Sequence, residues 1–203
     1  MNRIAPLFSI LPLLLTACSG SDAPVPTASD AAIPMAASSE ALPAPAPTAA
    51  GGPSSRYTSL KDCKVEQLRE DEDWSVSRCS GPGGFSLMVD YGDARDDLRL
   101  IQSGAKPVEL GLLALNNGGF NSLGDAVEWR GSGAGEAFKP AALIVRNNAV
   151  ENPERPERPT ALLVVIDLAQ GCVVAQVRPR PSQNEAARKI ADGPRQPCLK
   201  GRS

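Results

Sequence analysis

The chain has 203 residues, with 21 Lys and Arg against 23 Asp and Glu, and it contains no histidine. A net charge of −2 leaves no basic footprint for a nucleic acid. The missing imidazole removes the Ser-His and Cys-His nucleophile pairs and the usual general base at neutral pH, so catalysis would have to rest on carboxylates or a lysine, and the sequence points away from an enzyme.

At the N-terminus a basic Arg3 precedes an apolar run through Ile10, Leu13, Leu14 and Leu15, interrupted by Pro6 and Pro12. The run is too short and too broken to span a bilayer stably, and it reads as an export signal over residues 1–17. Leu15-Thr16-Ala17-Cys18 closes it. This tetrad resembles the lipobox of bacterial lipoproteins. The resemblance implies that the Cys18 thiol is acylated, that the signal peptide is cut away before it, and that the mature chain is held at a membrane by its acyl chains. Ser19 stands where an Asp would resemble the inner-membrane retention signal of Gram-negative lipoproteins, so the implied address is the outer membrane, with the domain facing the periplasm.

Residues 18–56 comprise the lipidated cysteine and a stretch of Ala, Pro, Ser, Thr and Gly with few charges. Such a stretch cannot bury enough apolar surface to offset its ordering entropy, and it reads as a disordered linker. As a flexible coil it would span roughly 35 Å on average. Residues 57–203 are sufficient for a single globular domain with its own core.

Within that domain, alternation predicts half-buried antiparallel strands. Trp74 and Val76 share one face against Ser75 and Ser77; Phe85, Leu87, Val89 and Tyr91 share another against Ser86, Met88 and Asp90. Further strands are expected over 63–68, 98–102 and 127–130, and from Cys172 onward. The apolar runs 141–145 and 161–166 read as strands buried on both faces. Residues 106–126 fit either a short helix or a strand. Near the end, Ser182-Gln183-Asn184-Glu185 has capping-box spacing and predicts a short helix with Ala186, Ala187 and Ile190 on its apolar face, stopped by Gly193-Pro194. The fold class expected is α+β, mainly antiparallel sheet with a short C-terminal helix and disulfide links.

Cys63, Cys79, Cys172 and Cys198 remain after Cys18. An even count in an exported chain implies disulfides, although four cysteines allow three pairings. The favoured reading is Cys63–Cys79, stapling neighbouring strands, with Cys172–Cys198, clamping the terminal helix and tail. Without a C-x-x-C pair or any histidine, a metal site is not expected, and no cofactor is implied.

Several clusters invite chemistry, and each has a plainer reading. Glu70-Asp71-Glu72-Asp73 reads as a solvated hairpin turn. Asp90, Asp93, Asp96 and Asp97 suggest calcium but lack the EF-hand pattern. Ser80-Gly81-Pro82-Gly83-Gly84 lacks the Lys of a phosphate loop, and Gly131, Gly133 and Gly135 break dinucleotide spacing. Trp129, Arg130 and Arg146 suggest a cross-strand cation–π and charge cluster. The repeated Pro-Glu-Arg of residues 153–158 suggests an exposed polyproline-like loop, with Arg178-Pro179-Arg180-Pro181 as a basic counterpart.

Tyr57-Thr58-Ser59-Leu60-Lys61-Asp62-Cys63, Arg78-Cys79-Ser80-Gly81-Pro82-Gly83-Gly84, Glu128-Trp129-Arg130, Leu143-Ile144-Val145-Arg146, Gly171-Cys172-Val173-Val174-Ala175 and Asn184-Glu185-Ala186-Ala187-Arg188 together resemble a group of exported alphaproteobacterial four-cysteine proteins. The resemblance implies one disulfide-linked domain and no particular activity. The expected function is that of a non-catalytic envelope module that binds an envelope protein or a cell-wall partner, tethered through Cys18. Cys79-Ser80-Gly81, the strand to Asp90-Tyr91 and Gly131-Ser132-Gly133-Ala134 resemble pieces of periplasmic lysozyme inhibitors, which gives a second reading. A third is a hydrolase using two carboxylates from the 90–97 group.

Overall fold

The computed structural model describes residues 52–200. In chain order these form β1 (Ser54–Ser59), β2 (Lys64–Arg69), β3 (Trp74–Ser80), β4 (Phe85–Gly92), β5 (Arg95–Gln102), β6 (Val108–Glu109), α1 (Leu112–Leu115), β7 (Asn121–Ser132), β8 (Lys139–Ala149), β9 (Thr160–Asp167), β10 (Cys172–Val177) and α2 (Gln183–Ala191). One antiparallel sheet has the order β2-β3-β4-β5-β6; the other runs β1-β7-β8-β9-β10. The first is a simple meander. In the second, β1 waits for its partner until the whole of the first sheet has been laid down.

The alternation read along 85–91 sends Leu87 inward, with Phe85 and Val89 packed beside it. There they meet Leu98 and Leu100 of β5 and, from the other sheet, Val127, Trp129, Leu143, Val145, Val164 and Ile166. This is the main core, made by the inner faces of two stacked sheets. The intervening residues of β8 and β9, Ile144, Leu163 and Val165, point the other way and are covered by Ala187, Ala186 and Ile190 of α2. Both faces of these strands are therefore dry. That is why 141–145 and 161–166 read as continuous apolar runs rather than alternating ones.

Trp74 and Val76 do share a face, but it is the outer one. They pack there with Met88 and Ile101, while Cys79 is the residue of β3 that enters the main core. The undecided stretch 106–126 splits into β6, α1 and the start of β7, with Leu110 and Leu112 buried in the core. Strand pairing already begins before residue 57, with Ser54 opposite Gly131.

Two further expectations are corrected. Ser182 sits in the left-handed region (φ 62°) and makes no side-chain cap, so the capping box does not form. Gln183 does the fastening instead, donating from Nε2 to the carbonyls of Ala161 and Val177 at 2.8 Å. The Pro-Glu-Arg segment is exposed but not an extended polyproline stretch: the Arg155 and Arg158 amides close two successive turns onto Asn152 and Arg155.

Both favoured disulfides are present, Cys63–Cys79 and Cys172–Cys198. Lys64 pairs with Arg78, so the first bridge joins the next cross-strand position of the β2–β3 hairpin. The second holds the tail against β10, where the Leu199 amide donates to the Val173 carbonyl at 2.8 Å. For sequence separations of 16 and 26 residues, chain entropy makes each worth about 3 to 3.5 kcal/mol. Replacing Cys172 and Cys198 together by Ser is expected to lower the unfolding free energy by about 3 kcal/mol in urea titrations. It should also remove hydrogen-exchange protection at the Leu199 amide.

Candidate binding cleft beside the C-terminal helix

Ser55 lies opposite Arg130, and Tyr57 opposite Glu128; across the next ladder Glu128 faces Ile144 and Arg130 faces Ala142. With Arg146 two residues beyond Ile144, these side chains share the face that α2 covers. Their neighbours Trp129, Leu143 and Val145 face the core. Adjacent residues on a strand point to opposite sides. Trp129 therefore does not form the cation–π cluster with Arg130 that the sequence suggests beside the plainer reading of a packed tryptophan. Its indole Nε1 donates instead to Thr58 Oγ1 at 2.9 Å, and the ring is fully buried.

On the helix side, Arg188 and Asp192 are one turn apart and both reach β7. Asp192 accepts a bidentate pair from Arg130, with Nε to Oδ1 at 3.0 Å. Arg188 donates to Glu128 at 2.7 Å and to the Tyr57 hydroxyl at 2.8 Å. Ser55 donates to Glu128 at 2.5 Å and accepts from Arg130. Glu128 and Arg130 are only 9% and 8% exposed. Burial pushes the Glu128 carboxyl up, but the hydrogen bonds from Arg188 and Ser55 and the charges of Arg188 and Arg130 outweigh it, and its pKa falls below the ordinary value. Hydrogen bonding to Asp192 and to Glu128 raises Arg130 and Arg188 respectively.

Beside this network opens a cleft of about 470 Å³, with Ile144 and Leu163 in its floor and Tyr57, Asn184, Arg188 and Arg146 around it. Beside it the β7 register shifts between Leu123 and Val127. Gly124 lies in that shift, and a Cβ there would sit 2.9 Å from Arg146 Cβ, so only glycine lets the arginine stem lie across the strand. Asp125 at the rim is taken by Lys61 at 2.7 Å. Among the described residues Arg146 has no ion-pair or hydrogen-bond partner. A larger groove of about 620 Å³ lies between Pro140, Ile190 and the tail, but its carboxylate, Asp167, already accepts from Ala169 and Gln170 and pairs with Arg195 at 3.3 Å.

The other residues singled out by sequence lie elsewhere. Cys18 is outside the described residues. Glu70–Glu72 form an exposed 3-10 turn at the tip of the β2–β3 hairpin. Of the four aspartates, Asp90 and Asp97 stand opposite each other on β4 and β5 and line a small pocket of about 210 Å³ with Arg99 and Glu109, where Asp90 is held by Arg99 and Asp97 accepts from the Leu98 and Leu112 amides; Asp93 is paired with Arg95, and Asp96 accepts the Leu123 amide. Burial raises Asp96, partly offset by the Leu123 hydrogen bond. The Gly81–Gly84 loop joins β3 to β4 against Trp129, and residues 133–138 join β7 to β8. Of the predicted charge cluster, Arg130 and Arg146 do line or border the cleft. Arg188, Asp192 and Ser55 were not anticipated as members. The i, i+4 spacing of Arg188 and Asp192 and the i, i+2 spacing of Ser55 and Tyr57 were the available signals.

Because the folded-state pKa of Glu128 lies below its ordinary value of 4.5, its contribution to stability is full above that pH and is lost as pH falls through the depressed value. The gap in unfolding free energy between wild type and Glu128→Gln should therefore be widest near neutrality and shrink on acidification; a gap constant from pH 7 to pH 3 would contradict the network. Comparison of the chain with protein-family models, curated proteins and solved structures finds no match.

Proposed function

We propose that this chain is a lipid-anchored envelope protein, attached to the outer membrane through Cys18 with its domain facing the periplasm, and that the domain is a non-catalytic binding module. The anchor rests on Leu15-Thr16-Ala17-Cys18 and on the Ala, Pro and Ser-rich tether that follows. The two disulfides suit an oxidising compartment.

The observation that carries binding over catalysis is that both carboxylates of the cleft are committed within the domain, Asp125 to Lys61 and Glu128 to Arg188, Arg130 and Ser55. A general acid or base needs a pKa brought toward the working pH. Glu128 is shifted the opposite way and locked by two arginines, so it serves as scaffold. What the cleft offers a partner is an apolar floor, the Tyr57 hydroxyl and the Arg146 guanidinium, which suits recognition of an envelope protein or a cell-wall component.

The test uses intact cells. Mass spectrometry should find an acylated N-terminal Cys18, and Cys18→Ser should release the chain into the soluble fraction. A photo-crosslinking residue at Asn184, on the rim, should capture an envelope partner that the same residue at Glu154, in the exposed loop, does not. An unprocessed N-terminus would overturn the anchor, and equal capture from both positions would overturn the binding cleft.

A further inference from the structure

We propose that the cleft beside α2 is a carboxylate-binding site, with the Arg146 guanidinium as the group that holds the anion. The charges around it show what is missing. Glu128 is shared by Arg188 and Arg130, Asp192 by Arg130, and Asp125 by Lys61. Lys61, Arg130, Arg146 and Arg188 thus face Asp125, Glu128 and Asp192, and one positive charge is left over, on Arg146.

That charge is not a loose surface arginine. Its stem is half-buried and lies over Gly124, where the absent Cβ makes room for it. Tyr57 adds a second donor: its oxygen already accepts from Arg188 at 2.8 Å, so its own proton is free for a ligand oxygen. The planar guanidinium fork matches a carboxylate in bidentate geometry.

The balance of charge selects the class of anion. A monoanion neutralises the one uncompensated cation. A phosphate dianion would set a second negative charge among Asp125 and Glu128, which line the same cleft. Ile144 and Leu163 in the floor favour a ligand whose carboxylate ends an apolar body. Such a group occurs both on free aliphatic acids and at the C-terminus of a peptide.

The inference rests on reading this cleft as the binding site, and calorimetry with the full chain tests it. The probes are 4-methylpentanoate, N-acetyl-Ala-Leu, the neutral N-acetyl-Ala-leucinamide and inorganic phosphate. Both acids should bind at least about tenfold more tightly than the amide, as expected when a charge-assisted hydrogen-bond pair is lost. Arg146→Gln should reduce them to the level of the amide, Arg146→Lys should restore part of the loss, and Arg155→Gln, in the distant loop, should change nothing. A peptide acid tighter than the free acid would assign the ligand as a chain end; equal affinity would assign small free acids. If Arg146→Gln does not fold, the acid-against-amide comparison on wild type decides alone. Acid and amide binding equally, phosphate binding more tightly, or no acid binding at millimolar concentration would each overturn the proposal. Acid binding without an envelope crosslink from Asn184 would instead remove the proposed role and leave the ligand class standing.

Discussion

A strand cannot send adjacent side chains to the same side, and in β7 that constraint sets both the core and the cleft. Trp129 goes inward, and Glu128 and Arg130 go outward under α2. The Trp129 ring fills the space between the sheets beside Phe85, at 6.3 Å between centroids, and it is met from the β3–β4 turn by Gly81. A Cβ at Gly81 would lie 2.5 Å from the indole, so that turn packs directly onto the ring. One residue of β7 thus ties the two sheets together, and its two neighbours tie the second sheet to the helix.

The helix needs that tie. Its apolar face is made of Ala186, Ala187, Ile190 and Ala191, which bury little area and give the helix no deep socket in β8 and β9. Small residues of this kind permit sliding. Arg188 and Asp192 remove that freedom, because each must meet a partner of opposite charge at one place on β7. Buried ion pairs contribute little net stability after desolvation, yet breaking one strands the other charge at a cost of several kcal/mol. Here the network acts mainly as a register device, and the cleft beside it inherits a fixed shape.

The parts of the fold legible in the sequence are those whose burial is written locally. The alternation of β4 and the unbroken apolar runs of β8 and β9 are direct images of one-sided and two-sided covering. The hairpin acidic turn was readable locally, and the Cys63–Cys79 bridge around it was the favoured pairing among the three that four cysteines allow. Ser54–Ser59 was not, since Ser-Ser-Arg-Tyr-Thr-Ser has no apolar period and becomes a strand only because β7 offers it an edge. The capping box failed for a related reason: Ser182 lies in the left-handed region, and Gln183 finds carbonyls that only the folded sheet supplies. The network itself joins Glu128 to Arg188 across 60 residues, a distance over which no local pattern carries information.

Arg146 is subject to the same limit. At the sequence level it sits near Trp129 and Arg130 as one more basic residue at a strand end. In the fold it stands on the helix side of β8, across from Gly124, with every neighbouring charge already committed. An exposed arginine without a partner is ordinary, because water solvates it and its long stem stays free. Arg146 differs in that the carbons of its stem lie against Gly124 and the residue is half-buried, which leaves the stem fewer rotamers than a fully solvated one. A ligand that meets the guanidinium therefore has less ordering cost to offset, which is the physical basis of preorganised binding.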